Sequence, residues 1–304
     1  MKICIIMSTY NGTGFLKEQL DSIIEQAENR DMMIYVRDDG SSDDTTALLR
    51  EYSSAHKETG MIINEGSNIG AAGSFLTAIR ECPMADIYAF CDQDDKWESG
   101  KLDAAIKALD GIDVPALWIS DYSVADEKLD ILIKNSIVEP CLNQLKALFF
   151  NNIPGCVMVF NRLLLEEIRK IRVERIRMHD IMTLNTALIT GTVIYDRNPY
   201  IRYRQHAGNA LGFGNKQLKL KGWLGNKLKL LADKEPYDIS EYAREVLRIW
   251  GSCMDDSTIR EYELISSYRG SLAGRLKLLS RPYTKDEFGR TSLSIRCKIL
   301  LGLM

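Results

Sequence analysis

What most constrains this chain is one alternation in its first third: four short apolar runs, each ending in a polar turn, with helical spacing between one run and the next. The runs are 2–8, 32–36, 61–63 and 86–91, each read as a strand, and the Ile-rich first run suits a strand buried on both faces of a parallel sheet. After the first run, Phe15, Leu16, Leu20, Ile23 and Ile24 recur at helical intervals, and further helices are expected at 45–56 and about 71–81. Strand and helix alternating in this way predict a mainly parallel sheet flanked by helices and joined by right-handed crossovers.

The second half is less regular. Strands are expected at 116–120, 156–160 and 192–195, helices at 139–150 and 179–188, and a hairpin-like segment at 200–204. This reads as one mixed α/β domain over residues 1–214, with the Gly-rich stretch 208–214 as a linker. A basic helical region, 215–304, follows.

Charge separates the two parts. The formal net charge is −3, too balanced for a globally basic nucleic-acid binder, so no nucleic acid is expected as a partner. Residues 216–304, however, hold 17 Lys+Arg against 11 Asp+Glu, while the preceding residues hold 22 against 31. Within 216–234, Lys216, Lys219, Lys221, Lys227 and Lys229 alternate with leucines around Trp223, the pattern of a cationic amphipathic helix. Such a helix either docks on the α/β domain or meets anionic lipid. The seven cysteines are scattered without a CxxC pair, as in a reducing compartment. The apolar run Ile3 to Met7 is too short for a signal-peptide core, and no stretch approaches a membrane span. A cytoplasmic protein is expected, at the inner face of the membrane if the basic helix binds lipid.

In an open parallel sheet, ligands collect beyond the carboxyl ends of the strands. Here those ends are Ser8-Thr9-Tyr10-Asn11-Gly12, Asp38-Asp39-Gly40-Ser41-Ser42-Asp43, Asn64-Glu65-Gly66-Ser67-Asn68-Ile69-Gly70 and Asp92-Gln93-Asp94-Asp95. Taken singly, these are ordinary turn and capping residues. Together they bring acids and amides to one edge. Asp92, Asp94 and Asp95 repel one another unless a cation lies among them. Carboxylates without His or Cys companions in the same turn suit Mg²⁺ or Mn²⁺ sharing its shell with a substrate phosphate. Neither a GxxxxGK[ST] loop nor a dinucleotide-binding glycine pattern is present.

These motifs, taken in order, resemble those of family 2 glycosyltransferases: Thr9-Tyr10-Asn11-Gly12, Asp38-Asp39-Gly40-Ser41-Ser42-Asp43, Asn68-Ile69-Gly70 and Asp92-Gln93-Asp94-Asp95-Lys96-Trp97. His179-Asp180 and Tyr203-Arg204-Gln205-His206-Ala207-Gly208-Asn209 extend the likeness towards the bacterial rhamnosyltransferase-like subgroup. The resemblance implies a GT-A fold and inversion at the anomeric carbon. It implies that Thr9, Tyr10 and Asn11 line the base pocket, with Asn68 and Gly70 alongside, and that Asp38, or its neighbour Asp39, accepts a hydrogen bond from the base. Asp94 and Asp95 would hold Mn²⁺ or Mg²⁺, and Asp92 would face the ribose or the sugar. Asp180 matches the general base, and it precedes an uncharged stretch, 181–195, which would keep it partly desolvated. His179 is either an orienting neighbour of Asp180 or a helix N-terminal residue. Arg202, Arg204 and His206 either reach the diphosphate once their loop closes or form a solvated basic strand.

One departure is Ile181, where related sequences carry an aromatic residue. The implied partners are a dTDP- or UDP-sugar donor, with dTDP-rhamnose the leading case, and a saccharide or lipid-linked glycan acceptor. The alternative is a catalytically silent nucleotide-sugar-binding subunit.

Overall fold

The computed structural model describes residues 1–206, 238–285 and 291–303. The basic segment 216–234 and the expected linker at 208–214 lie outside them. Its centre is β1 (Lys2–Thr9), parallel on one side to β2 (Asp31–Asp38) and on the other to β4 (Ile87–Cys91). Cys4, Ile5, Ile6 and Met7 are fully buried, as are Tyr88, Ala89, Phe90 and Cys91, which explains the unbroken apolar runs. Outside β2 lies β3 (Ile62–Glu65), also parallel.

Beyond β4 the sheet becomes mixed. β8 (Met158–Asn161) runs antiparallel to β4 and to β6 (Ala116–Ala125), while β9 (Thr192–Arg204) runs parallel to β6. The short β5 (Lys96–Trp97) and β7 (Ile131–Ile133) pair with β9 and β6. The strand order is β3-β2-β1-β4-β8-β6-β9-β5, with β7 beside β6. Helices α1 (Leu16–Ile24), α2 (Thr45–Ala55), α3 (Gly70–Glu81) and α4 (Lys101–Leu109) connect the first half. α5 (Gln144–Ala147), α6 (Arg162–Arg169) and α7 (His179–Thr190) belong to the second.

Two expectations fail for local reasons. The helix expected at 139–150 shrinks to α5. Pro140 removes a backbone donor and disfavours helical geometry at Glu139. Asn143 then caps the short helix, its Oδ1 accepting from Leu145 N and Lys146 N at 3.1 and 2.9 Å. The residues upstream form a bend and irregular chain rather than a helix, pinned by Asn152, which accepts from Cys141 N and donates to the Glu139 carbonyl. Likewise, 192–204 is neither a short strand nor a hairpin. It is one continuous strand whose register on β6 jumps from Ser120↔Asp196 to Asp121↔Pro199, a bulge that accommodates Pro199.

The C-terminal region is helical where it is described: α8 (Ile239–Trp250), α9 (Asp256–Ser267), α10 (Leu272–Ser280) and α11 (Leu293–Leu301). α8 and α9 rest on α7 through buried Asn185. Its Oδ1 accepts from the Tyr242 and Tyr262 hydroxyls at 2.9 and 3.2 Å, and its Nδ2 donates to the Gln144 carbonyl at 2.7 Å. Trp250 Nε1 adds a 2.9 Å bond to Glu167. All seven cysteines are free, and no helix among the described residues is long and apolar enough to cross a membrane.

Candidate active site

The turns after β1, β2 and β4 lock together before any ligand is considered. Asp38 is buried beneath the β2 turn. Its Oδ1 accepts from Gly40 N and Ser41 N at 3.1 and 2.8 Å, and its Oδ2 from the Thr9 and Ser41 hydroxyls at 2.8 and 2.6 Å. All four acceptor positions of the carboxylate are therefore taken by this chain. Asp39 is equally buried. It pairs with Arg37 at 2.5 Å and accepts from Ile69 N and Gly70 N at 3.0 and 2.8 Å, tying β2 to the start of α3. Gly40 has φ +79°, and a Cβ there would sit 3.1 Å from Asn68 N and from the Gly66 carbonyl, so glycine is required. Asn11 joins the first two turns, its Oδ1 accepting from Ser42 N at 2.8 Å. Tyr10, Asn68 and Gly70 line the exposed edge.

Gln93, not singled out in the sequence, pins the acidic turn to this base. Its side chain accepts from Tyr10 N at 2.8 Å and donates to the Tyr10 carbonyl at 3.0 Å. The three aspartates around it then separate in role. Asp95 is buried, its Oδ1 accepting from Arg204 N at 3.0 Å while its Oδ2 has no hydrogen-bond partner among the described residues. Asp94 Oδ2 lies 2.7 Å from His206 Nε2. Asp92, Asp95 and Cys156 bring one ligand atom each to within 4.8 Å of one another. Burial, then Asp94, then Asp180 push the Asp92 carboxyl up to about 7, and burial with Asp94 and Asp92 raises Asp95 well above the usual range. Cys156 comes from a 3₁₀ turn, Gly155–Val157, just before β8. No spacing in the sequence signals its approach to the acidic turn.

A buried lysine lies beneath the cluster. Lys101 Nζ donates to the Cys156 carbonyl at 2.7 Å and lies 3.6 Å from the centre of the Trp97 ring. Burial lowers its pKa to about 8, against the pull of the neighbouring thiols and acids.

Asp180 opens α7 and is nine-tenths buried. Burial pushes its carboxyl up to about 7, although Ile181 N, Arg177 and Asn151 oppose the shift. Its charge adds to the rise in the Asp92 pKa, which couples the base candidate to the acidic turn electrostatically. His179 does not orient Asp180 by a hydrogen bond. Its ring stacks on Phe75 at 3.8 Å and meets the Phe90 ring edge-on at 4.6 Å, and burial drops its pKa to about 3. Neither ring nitrogen has a partner among the described residues. A Cβ on Gly155 would fall 2.1 Å from His179 Nε2, so the glycine makes room for the ring.

The basic residues of β9 are occupied within the protein. Arg202 pairs with Glu98 and donates to the Leu129 carbonyl at 3.2 Å. Arg204 is buried, donating to the Asp94 carbonyl at 2.7 Å, pairing with Glu18 and covering the Phe15 ring at 4.6 Å. His206 contacts the same ring at 4.6 Å. The structure thus gathers Asp92, Asp94, Asp95, Asp180 and His206. The site is compatible with a hard divalent ion: an orphaned buried carboxylate oxygen, further carboxylates and an imidazole nitrogen form an apt donor set.

Residues 4–168, more than half of the chain, match the family model described as glycosyl transferase family 2. The chain belongs to glycosyl transferase family 2. Among relatives of this glycosyltransferase, a dTDP-rhamnosyl transferase, RfbG of Shigella flexneri, is 29% identical over 280 residues, covering 88% of this chain and 90% of that one. Solved structures confirm the GT-A-like fold. TarS of S. aureus in complex with UDP-GlcNAc superposes with a TM-score of 0.59 at 14% identity, covering 93% of this chain and 77% of TarS. The mannosyltransferase PcManGT from Pyrobaculum calidifontis, in complex with GDP-Man and Mn²⁺, gives 0.52 at 20% identity, with 99% and 79% covered.

Proposed function

We propose that this family 2 glycosyltransferase is a metal-dependent inverting enzyme. In this reading it moves a sugar, L-rhamnose from dTDP-rhamnose being the leading case, to a hydroxyl of a bacterial surface polysaccharide or lipid-linked oligosaccharide. The observation that carries the proposal is the convergence of Asp180, a buried carboxyl with its pKa near 7, on the acidic turn of Asp92, Asp94 and Asp95. The likeness to RfbG supports the choice of donor.

The locked turns of β1, β2 and β4 form a preformed base and ribose cradle around Thr9, Tyr10, Asn11, Asn68 and Gly70. With Asp38 saturated by this chain and Asp39 tied to Arg37 and two backbone amides, their contribution is to shape the cradle, and a direct contact of Asp38 with the base would require a hydroxyl to move. Asp94, with His206 facing it and Asp95 behind, would hold Mn²⁺ or Mg²⁺. Bound there, the ion would neutralise charge on the leaving diphosphate. Asp180 takes the acceptor hydroxyl's proton as that oxygen attacks the anomeric carbon, and a pKa near 7 matches the base to neutral conditions. His179 fixes the start of α7 by packing between Phe75 and Phe90, which holds Asp180 in place.

The test is calorimetric binding of dTDP, UDP and GDP with and without Mn²⁺, paired with transfer assays. Asp180→Asn should leave metal-dependent dTDP binding intact and cut transfer about 10²- to 10⁴-fold. Asp94→Ala should weaken the binding itself. Wild-type protein that binds the nucleotide yet transfers no sugar would favour the silent-subunit alternative.

A further inference from the structure

The last two helices turn apolar side chains outward. Leu272 and Leu276 of α10, and Leu293, Leu300 and Leu301 of α11, are 39 to 64% exposed, while Leu278 and Ile299 supply the buried contacts of the two helices. At about 100° per residue, Leu272 and Leu276 lie side by side on the outer face of α10. By the same spacing, Leu293, Leu300 and Leu301 fall within an arc of about 100° on α11, roughly opposite Ile299. The two faces adjoin: Arg275 Nη1 donates to the Leu300 carbonyl at 2.7 Å, and a Cβ on Gly302 would lie 3.3 Å from Arg275 Nη2. A soluble helix normally buries such a stripe.

The charge of this end is equally distinctive. Residues 269–304 contain eight Lys+Arg and two Asp+Glu, whereas residues 238–268, covering α8 and α9, contain three and seven. Lys277 and Arg296 are exposed on the same two helices as the leucines. Exposed leucines with exposed cations on the same two helices match a surface that is apolar a few ångströms down and negatively charged on top.

We propose that the outer face of α10 and α11 seats on an anionic phospholipid bilayer, with Leu272, Leu276, Leu293, Leu300 and Leu301 at the acyl boundary and Lys277 and Arg296 among the phosphates. The inference rests on the proposed lipid-linked acceptor, which would present its sugars at such a surface.

The test uses the full chain and vesicles of phosphatidylglycerol with phosphatidylcholine, or of phosphatidylcholine alone. Wild-type protein should co-sediment at least 10-fold better with the anionic vesicles. Leu272→Glu/Leu276→Glu/Leu301→Glu should lose most of that binding while keeping metal-dependent dTDP binding unchanged, so a failure of the membrane inference is separable from a failure of the donor-site reading. As a second readout, a polarity-sensitive dye on exposed Cys297, which shares the α11 arc, should shift to the blue with anionic vesicles in a Cys253→Ser background. Three results would overturn the proposal: no anionic preference and no dye shift, binding retained by the leucine variant but lost on charge reversal of Lys219, Lys221, Lys227 and Lys229, or sedimentation velocity showing that the leucines join two copies of the chain.

Discussion

Asp180 should make the protein less stable as the pH rises, and replacing it should remove that penalty together with the activity. An ordinary aspartate ionises near 3.8, but burial raises this one to about 7 in the folded chain. Between those values the folded state binds the proton and the unfolded state releases it, so stability falls with increasing pH and levels off above 7. For this shift the penalty comes to ~4 kcal/mol at pH 8.5, of which ~2 kcal/mol is incurred between pH 5.5 and 8.5. Asn carries no charge and nearly the same shape. Asp180→Asn should therefore be more stable than wild type at pH 8.5, by up to ~4 kcal/mol, with the difference narrowing towards pH 5.5. Urea unfolding of both proteins at pH 5.5, 7.0 and 8.5, without added metal, measures this directly. An Asn variant with the same pH slope as wild type, or one less stable at pH 8.5, would refute the reasoning and return Asp180 to the ranks of solvated acids. In kinetics the same carboxyl predicts transfer that rises with pH through about 7, as the base loses its proton.

Other expectations follow from particular contacts. If the acidic turn holds a divalent ion, Mn²⁺ at 100 times its dissociation constant should stabilise the wild type by about 2.7 kcal/mol, and Asp94→Ala should abolish that gain in a thermal melt. Gly155→Ala should cost about 1–3 kcal/mol in urea unfolding, because the new methyl falls on the His179 ring. Asn185→Ala should cost about 1–3 kcal/mol by removing the buried amide to which the Tyr242 and Tyr262 hydroxyls donate, and proteolysis should then release the C-terminal helices first.

The half of the fold built from β1 to β4 could be read from the sequence because its buried strands β1, β2 and β4 must be apolar and their turns polar, whereas the edge strand β3, exposed along most of its length, was legible only as a short apolar run between two helices. The same logic located Asp92, Asp94 and Asp95, while Asp180 was reached through the resemblance to the family's motifs. It could not assign them separate tasks, since those are set by partners distant in the chain: His206 for Asp94, Arg204 N for Asp95 and the Gly155–Val157 turn for Asp92. Gln93 and Lys101 escaped notice for a related reason. One looks like an ordinary loop amide and the other like a surface lysine, and only the folded chain puts the first on the Tyr10 backbone and the second under the acids. The misjudged helix at 139–150 shows the opposite error, where apolar spacing outweighed the clear signals of Pro140 and Asn143.

Helix α7 carries the base candidate in its first turn and, further along, the asparagine on which α8 and α9 rest. One rigid rod is thus shared by the nucleotide-sugar half and the C-terminal half. An engineer exchanging the C-terminal helices between relatives to alter what they accept would also be changing the bearing against which Asp180 is aligned. Functional chimaeras should therefore be those whose incoming helices supply two hydroxyls to Asn185, or whose junction carries α7 across with them.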